Sequence, residues 1–259
     1  YRTAPDTLYE LGAEIVPLAV SPDGFNINEN CGAVHPQVMA TAVVAHGADA
    51  GICLDGDADR LIMADETGKI IDGDQILGCL ALAMQERGTL ANNAVVGTVM
   101  TNRGLEARLG KAGIDLHRVA VGDRYILEKM RQDELNLGGE PSGHMLMTDL
   151  ARSGDGLLTA LQMLTLLKSS GKKASTLFNS FSPHPQRLEN LRGIDPAILQ
   201  DKKLQSDLAN IETNLNGKGR VLVRPSGTEA LVRVMVEAET DALLTEAMDA
   251  LILRIKAES

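Results

Sequence analysis

The sequence predicts an α/β protein, with two α/β units in succession followed by a small α+β unit at the carboxyl end. Short apolar runs of strand length, such as 50–54, 94–99 and 219–224, alternate with stretches of helical period. Several strands of the first two units alternate with helices, whereas the last unit places two strands between two helices, which suits helices on one face of a mostly antiparallel sheet. With 259 residues, 44% hydrophobic and 23% charged, the chain is long enough to bury more than one core. Aromatic residues make up only 2% and Trp is absent, so the cores must be aliphatic.

In order, helices are expected at 4–12 and 36–46, a strand at 14–20, and a Gly- and Asn-rich loop at 21–35. The strand 50–54 follows, then a hairpin of 61–65 and 69–71. This alternation predicts a parallel sheet with ligands at the carboxyl ends of its strands. Asp72-Gly73-Asp74 caps a helix running to about Arg87. Strands at 94–99, 117–121, 135–138 and 144–149 and helices at 103–112, 123–133 and 155–169 complete a second unit. The last unit comprises strands 186–193, 219–224 and 230–238 with helices 197–215 and 240–257. The implied boundaries are 1–71, 72–170, a linker at 171–185, and 186–259.

The net charge is −10 and no basic run carries interleaved aromatics, which argues against nucleic-acid binding. No apolar run reaches the roughly 18–20 residues a membrane helix needs. Cys31, Cys53 and Cys79 lack CxxC spacing and read as free thiols of a reducing, cytoplasmic compartment. The opening at Tyr1, with neither an initiating Met nor a signal peptide, suggests a fragment or a processed product.

Asp55-Gly56-Asp57-Ala58-Asp59-Arg60 is the stretch with the clearest chemistry. Three carboxylates at alternate positions repel one another unless a cation neutralises them, and oxygen-only ligands suit Mg²⁺ or Ca²⁺. Arg60 beside them can hold a further anion. An acidic surface turn is the plain alternative. An EF-hand is rejected, because Arg60 occupies the position that needs Gly and the upstream flank reads as a strand. Glu140, Ser142 and His144 in Gly139-Glu140-Pro141-Ser142-Gly143-His144 offer sugar-hydroxyl contacts and a titratable imidazole, or form a mere polar turn. Arg224-Pro225-Ser226-Gly227-Thr228-Glu229 is a compact nest of donors for a phosphate, with Arg233 on the following strand, or a hairpin turn. Gly122-Asp123-Arg124-Tyr125 places Arg124 at a helix N-cap or at a substrate.

Taken in order, DGDADR (55–60), GDRY (122–125), GEPSGH (139–144), SGDG (153–156) and RPSGTE (224–229) resemble the α-D-phosphohexomutase superfamily, over essentially the whole chain. Residues 24–28 with Cys31-Gly32-Ala33, the Gly122-Asp123-Arg124-Tyr125 loop continued by Ile126-Leu127-Glu128, and the Ala within DGDADR bring the likeness nearest to the branch that acts on glucosamine phosphates; the mannose and glucose branch tends to differ at GDRY. The resemblance implies phosphohexomutase-type domains, the first incomplete here. It implies interconversion of glucosamine 6-phosphate and 1-phosphate on the route to UDP-N-acetylglucosamine, with a sugar 1,6-bisphosphate as activator or intermediate. It places Mg²⁺ on Asp55, Asp57 and Asp59, and sugar hydroxyls on Glu140 and Ser142. Phosphate falls to Arg224, Ser226, Gly227 and Thr228, with transfer supported by Arg60 and an acid/base role for His144. Pro141 and Ala230 depart from the usual residues at their positions, which bears on fine substrate preference. The family's nucleophile, a phosphorylated Ser in a Ser-His-Asn-Pro context, has no counterpart in the sequence. The chain alone is therefore expected to bind metal and sugar phosphate weakly without turnover. Other readings are a phosphomannomutase or phosphoglucomutase, or a non-catalytic sugar-phosphate-binding module. A haloacid-dehalogenase-type phosphatase fails, since Ala58-Asp59 follows Asp57 where Gly-Thr is needed.

Overall fold

The computed structural model describes residues 1–225 and 231–257, which divide into two compact units. The first comprises 1–101 and 105–182, the second 102–104 and 183–259.

The first unit opens with α1 (Thr3–Glu10), an irregular segment, and α2 (Pro36–His46). Proline at the start of α2 and Gly47 in the left-handed conformation at its end set the limits of that helix. The strands β1 (Ala50–Leu54), β2 (Leu61–Asp65) and β3 (Ile70–Ile71) form an antiparallel sheet in that order. The continuous run Leu61-Ile62-Met63-Ala64 is buried on both faces of the sheet, as period two requires. Ile62 and Ala64 pack with Met39, Ala40 and Val43 of α2, whereas Leu61 and Met63 face the larger core.

That larger core is closed by α3 (Gly73–Glu86), β4 (Ala94–Thr98), α4 (Arg103–Lys111), β5 (Asp115–Val119), β6 (Leu137–Gly139), β7 (Met145–Met147) and α6 (Gly156–Ser170), while α5 (Asp123–Gln132) packs in a separate cluster. The second sheet has the order β5-β4-β6-β7, with β4 parallel to β5 and to β6, and β7 antiparallel. Val95 of β4 faces α3 and α6, while Ala94 and Val96 pack on Ile126 and Met130 of α5. Asp72 caps α3 by accepting from the Gln75 amide at 3.0 Å, and Asp155 caps α6 by accepting from that of Leu158 at 2.9 Å.

Three expectations are corrected. Residues 14–20 form no strand; Val16 and Leu18 are largely exposed, and no neighbouring strand among the described residues satisfies their backbone groups. The first sheet is antiparallel, because residues 55–60 are too few for the crossover that parallel strands need. The segment 171–185 is not a bare linker. It carries α7 (Ala174–Leu177) and buries Ala174, Phe178 and Phe181 in the larger core.

The second unit is an α+β sandwich. β8 (Gln186–Arg192), β9 (Gly219–Pro225) and β10 (Leu231–Ala238) form an antiparallel sheet with β10 in the centre. Val232, Val234 and Val236 turn one face of β10 toward Leu204 of α8 (Lys202–Asn214) and toward Met248, Leu251 and Ile255 of α9 (Asp241–Ala257).

Two glycines predict opposite outcomes. A Cβ on Gly73 would strike the backbone of Glu140 and Gly143, whereas one on Gly110 of α4 would meet nothing within 4 Å. Gly73→Ala is expected to cost about 1–3 kcal/mol by overpacking. Gly110→Ala is expected to stabilise by up to about 1 kcal/mol through helix propensity. Urea unfolding of the two variants measures both.

Candidate metal and sugar site

The acidic loop joins β1 to β2 and is shaped by contacts from three other segments. Ala58 holds φ +60, an unusual conformation for a residue with a Cβ. The Gly156 amide donates to the Ala58 carbonyl at 2.9 Å, and the Leu61 amide donates to the Gly143 carbonyl at 3.0 Å. Gly143 has φ +94 and lies against the Leu61 backbone, an approach only glycine allows. Residues of the long loop 21–35 close the other side. Ile27 and Asn28 pack over Gly56, and the Ala33 amide donates to the Leu54 carbonyl at 3.1 Å. That loop, expected as irregular, is part of the support of the site.

Asp55, Asp57 and Asp59 each offer a carboxylate oxygen, and the three oxygens lie within 4.8 Å of one another. Arg60 takes up part of this charge. Its Nε and one terminal nitrogen both contact Asp55 Oδ2 at 2.6 Å, and its amide donates to Oδ1 at 3.1 Å. Burial pushes the Asp55 carboxyl upward, but these Arg60 bonds outweigh it and leave the group below the ordinary carboxylate range. Burial, and then the adjacent Asp55 charge, push the Asp59 carboxyl above that range. Asp59 Oδ1 is buried and has no hydrogen-bond partner among the described residues. Convergent oxygens, one of them unsatisfied, fit a hard divalent cation.

His144 links this loop to the Glu140 loop. It is 7% exposed, and its Nδ1 lies 2.9 Å from Asp59 Oδ2. An ionised Asp59 places the proton on Nδ1 and leaves Nε2 as an acceptor. Nε2 is buried with no partner among the described residues. Arg60 and His144 also form a backbone bridge. A cleft of about 370 Å³ opens here, lined by Asp57, Asp59, Arg60, Asp123, Glu140, Ser142 and His144. Glu140 Oε1 accepts from the Gly122 amide at 2.9 Å, which draws the 122–125 loop to the cleft.

The structure thus gathers Asp55, Asp57, Asp59, Arg60, Glu140, Ser142 and His144 in one place. Arg124 is exposed and is not among the lining residues; its neighbour Asp123 is. In the second unit, Arg224 and Arg233 stand opposite each other across β9 and β10, and Arg233 Nε is buried without a partner among the described residues. Two guanidiniums side by side repel unless an anion lies between them. Ser226, Gly227 and Thr228 lie outside the described residues.

Gly154 and Gly156 are positioning residues without an individual role in the sequence reasoning, although SGDG drew attention as a motif. Gly154 lies flat on the His144 ring, where a Cβ would overlap Cε1 and Nε2, and Gly156 leaves room for the Ala58 and Arg60 carbonyls. Gly154→Ala is expected to displace the imidazole from Asp59. NMR of the His144 ring in the folded variant checks this, with a shifted Nδ1 resonance as the expected result.

Comparisons with known proteins match this architecture segment by segment. The family model for phosphoglucomutase/phosphomannomutase alpha/beta/alpha domain II matches residues 2–68, that for domain III matches 72–184, and that for the C-terminal domain matches 186–254. A phosphoglucosamine mutase of Roseobacter denitrificans is 54% identical over 253 residues, covering 97% of this chain and 56% of the relative. One of Paracoccus denitrificans is 51% identical over 259 residues, covering 99% and 58%. The chain therefore spans little more than half the length of the curated relatives it matches. Among solved structures, a phosphoglucomutase/phosphomannomutase family protein from Burkholderia thailandensis superposes with a TM-score of 0.81 at 25% identity, covering 98% of this chain and 57% of that one. Aspergillus fumigatus N-acetylphosphoglucosamine mutase, in complex with GlcNAc-6P and magnesium, shares the fold with a TM-score of 0.68 at 21% identity, covering 88% and 53%. With all three domain models matched in order, the chain belongs to the phosphoglucomutase/phosphomannomutase family.

Proposed function

We propose that this chain is the metal- and sugar-binding part of a phosphoglucosamine mutase. The reaction is the interconversion of glucosamine 6-phosphate and glucosamine 1-phosphate, through an enzyme phosphoserine and a sugar 1,6-bisphosphate. Its product would feed UDP-N-acetylglucosamine and peptidoglycan precursor synthesis in the cytoplasm. The observation that carries the proposal is the convergence of the Asp55-Asp57-Asp59 loop and the Glu140-Ser142-His144 loop on one cleft. Identities of 54% and 51% to phosphoglucosamine mutases support the choice of sugar.

In this reading Asp55, Asp57 and Asp59 hold Mg²⁺, which when bound neutralises charge on a transferring phosphoryl group. Arg60 keeps Asp55 ionised and aimed, and its half-exposed guanidinium supports the phosphoryl oxygens. Glu140 and Ser142 orient the sugar by its hydroxyls. His144, held by Asp59 through Nδ1, moves a proton at Nε2. Arg224 and Arg233, with Ser226, Gly227 and Thr228, bind the phosphate that is not reacting, and Arg124 contributes to substrate binding at longer range. The nucleophilic serine context of the family is absent from this sequence, so the chain needs that serine from elsewhere to turn over.

Calorimetry of the 259-residue chain tests the metal assignment. Mg²⁺ is expected to bind, and Asp57→Asn or Asp59→Asn to weaken it by about tenfold or more through loss of a carboxylate ligand. Joining the chain to the remaining part of the Roseobacter denitrificans relative tests the reaction. Conversion of glucosamine 6-phosphate is expected from the joined protein and none from the chain alone; turnover by the chain alone would contradict the mechanism.

A further inference from the structure

We propose that Asp123 recognises the amino group of the substrate, its carboxylate holding the ammonium of a 2-amino-sugar phosphate. The assignment rests on the sugar-phosphate reading given above. Four carboxylates line the cleft, those of Asp57, Asp59, Asp123 and Glu140, against the single guanidinium of Arg60 and the imidazole of His144. Arg60 is committed to Asp55 through two contacts of 2.6 Å. Asp57 and Asp59 belong to the loop that a metal neutralises, and Glu140 Oε1 is engaged by the Gly122 amide at 2.9 Å. Asp123 remains. Among the described residues it has no ion pair, and its carboxylate accepts only the Arg124 amide, at 2.6 Å on Oδ1.

Its place in the fold fits the role. Gly122 has φ +130 and is tied to Glu140, which pins the first residue of α5 beside the side chain that takes sugar hydroxyls. The start of that helix favours a negative charge. His144, whose Nε2 has no hydrogen-bond partner among the described residues, adds an unmatched polar group to the wall of the same cleft. A plain hexose presents a neutral hydroxyl at the carbon that bears the amine, and an N-acetylated sugar presents an uncharged amide. Only the free amine, as an ammonium, adds an ion pair to the hydrogen bond it donates to a carboxylate there. Asp123 is therefore a specificity-determining residue, acting on the choice of sugar.

Calorimetric titration of the chain in Mg²⁺ with glucosamine 6-phosphate, glucose 6-phosphate and N-acetylglucosamine 6-phosphate tests the assignment. Asp123→Asn is expected to lower the preference for glucosamine 6-phosphate over glucose 6-phosphate by about tenfold or more, as loss of a charged hydrogen bond does. Asp123→Glu is expected to retain most of that preference. Melting curves establish that the variants fold, and Asp123→Ser supplies a second neutral variant. An unchanged preference in Asp123→Asn, or equal weakening of both sugars, overturns the role of Asp123 while leaving the sugar-phosphate reading in place. Failure of the unaltered chain to bind any of the three sugars overturns that reading, and this assignment with it.

Discussion

The mutual repulsion of three carboxylates in five residues is the constraint on which the first unit depends. Asp55, Asp57 and Asp59 cannot converge by their own preference, because each negative charge raises the cost of the next. The fold opposes this with one cation, Arg60, and with backbone hydrogen bonds from segments distant in sequence. Arg60 binds Asp55 at 2.6 Å but reaches Asp59 Oδ1 only at 3.6 Å, which leaves Asp59 with a raised affinity for a proton and that buried oxygen without a hydrogen bond among the described residues. The residual charge suits the loop to holding a cation, as the proposed Mg²⁺ site requires.

Glycine is the means by which the loops come so close. Gly143 lets the Glu140 loop lie on the backbone of Leu61, Gly73 lets α3 begin against the same loop, and Gly154 lets a backbone lie on the His144 ring. Each place would clash with a Cβ. Two sheets, one antiparallel and one mainly parallel, thereby present their loops to a shared cleft. His144 on one loop meets Asp59 on the other, so the acidic loop and the Glu140 loop are held together as one unit.

Much of this was legible in the sequence where the signal is local. The Asp72 cap and the helix 36–46 that stops at Gly47 follow from periodicity and end chemistry. The errors came where partners are remote. Residues 14–20 have strand composition but no strand beside them among the described residues, and Phe178 and Phe181 draw an apparent linker into the core. Around the cleft, residue type singles out Asp55, Asp57, Asp59, Glu140 and His144, which the fold brings near one another. It pointed to Arg124 in the 122–125 loop, because an arginine suggests an anion. The GDRY motif marks the loop, but the bond from Gly122 to Glu140 brings Asp123 rather than Arg124 to the cleft, a choice residue type alone does not make.

The central claim is that these three aspartates form a preorganised hard-cation site. Anomalous diffraction from crystals of the chain soaked in Mn²⁺, an oxygen-seeking substitute for Mg²⁺, tests it most directly. The account predicts one strong peak bounded by oxygens of Asp55, Asp57 and Asp59, with the Gly156-to-Ala58 hydrogen bond intact. A loop without a peak, or a cation bound elsewhere on the unit in preference to it, would contradict the account.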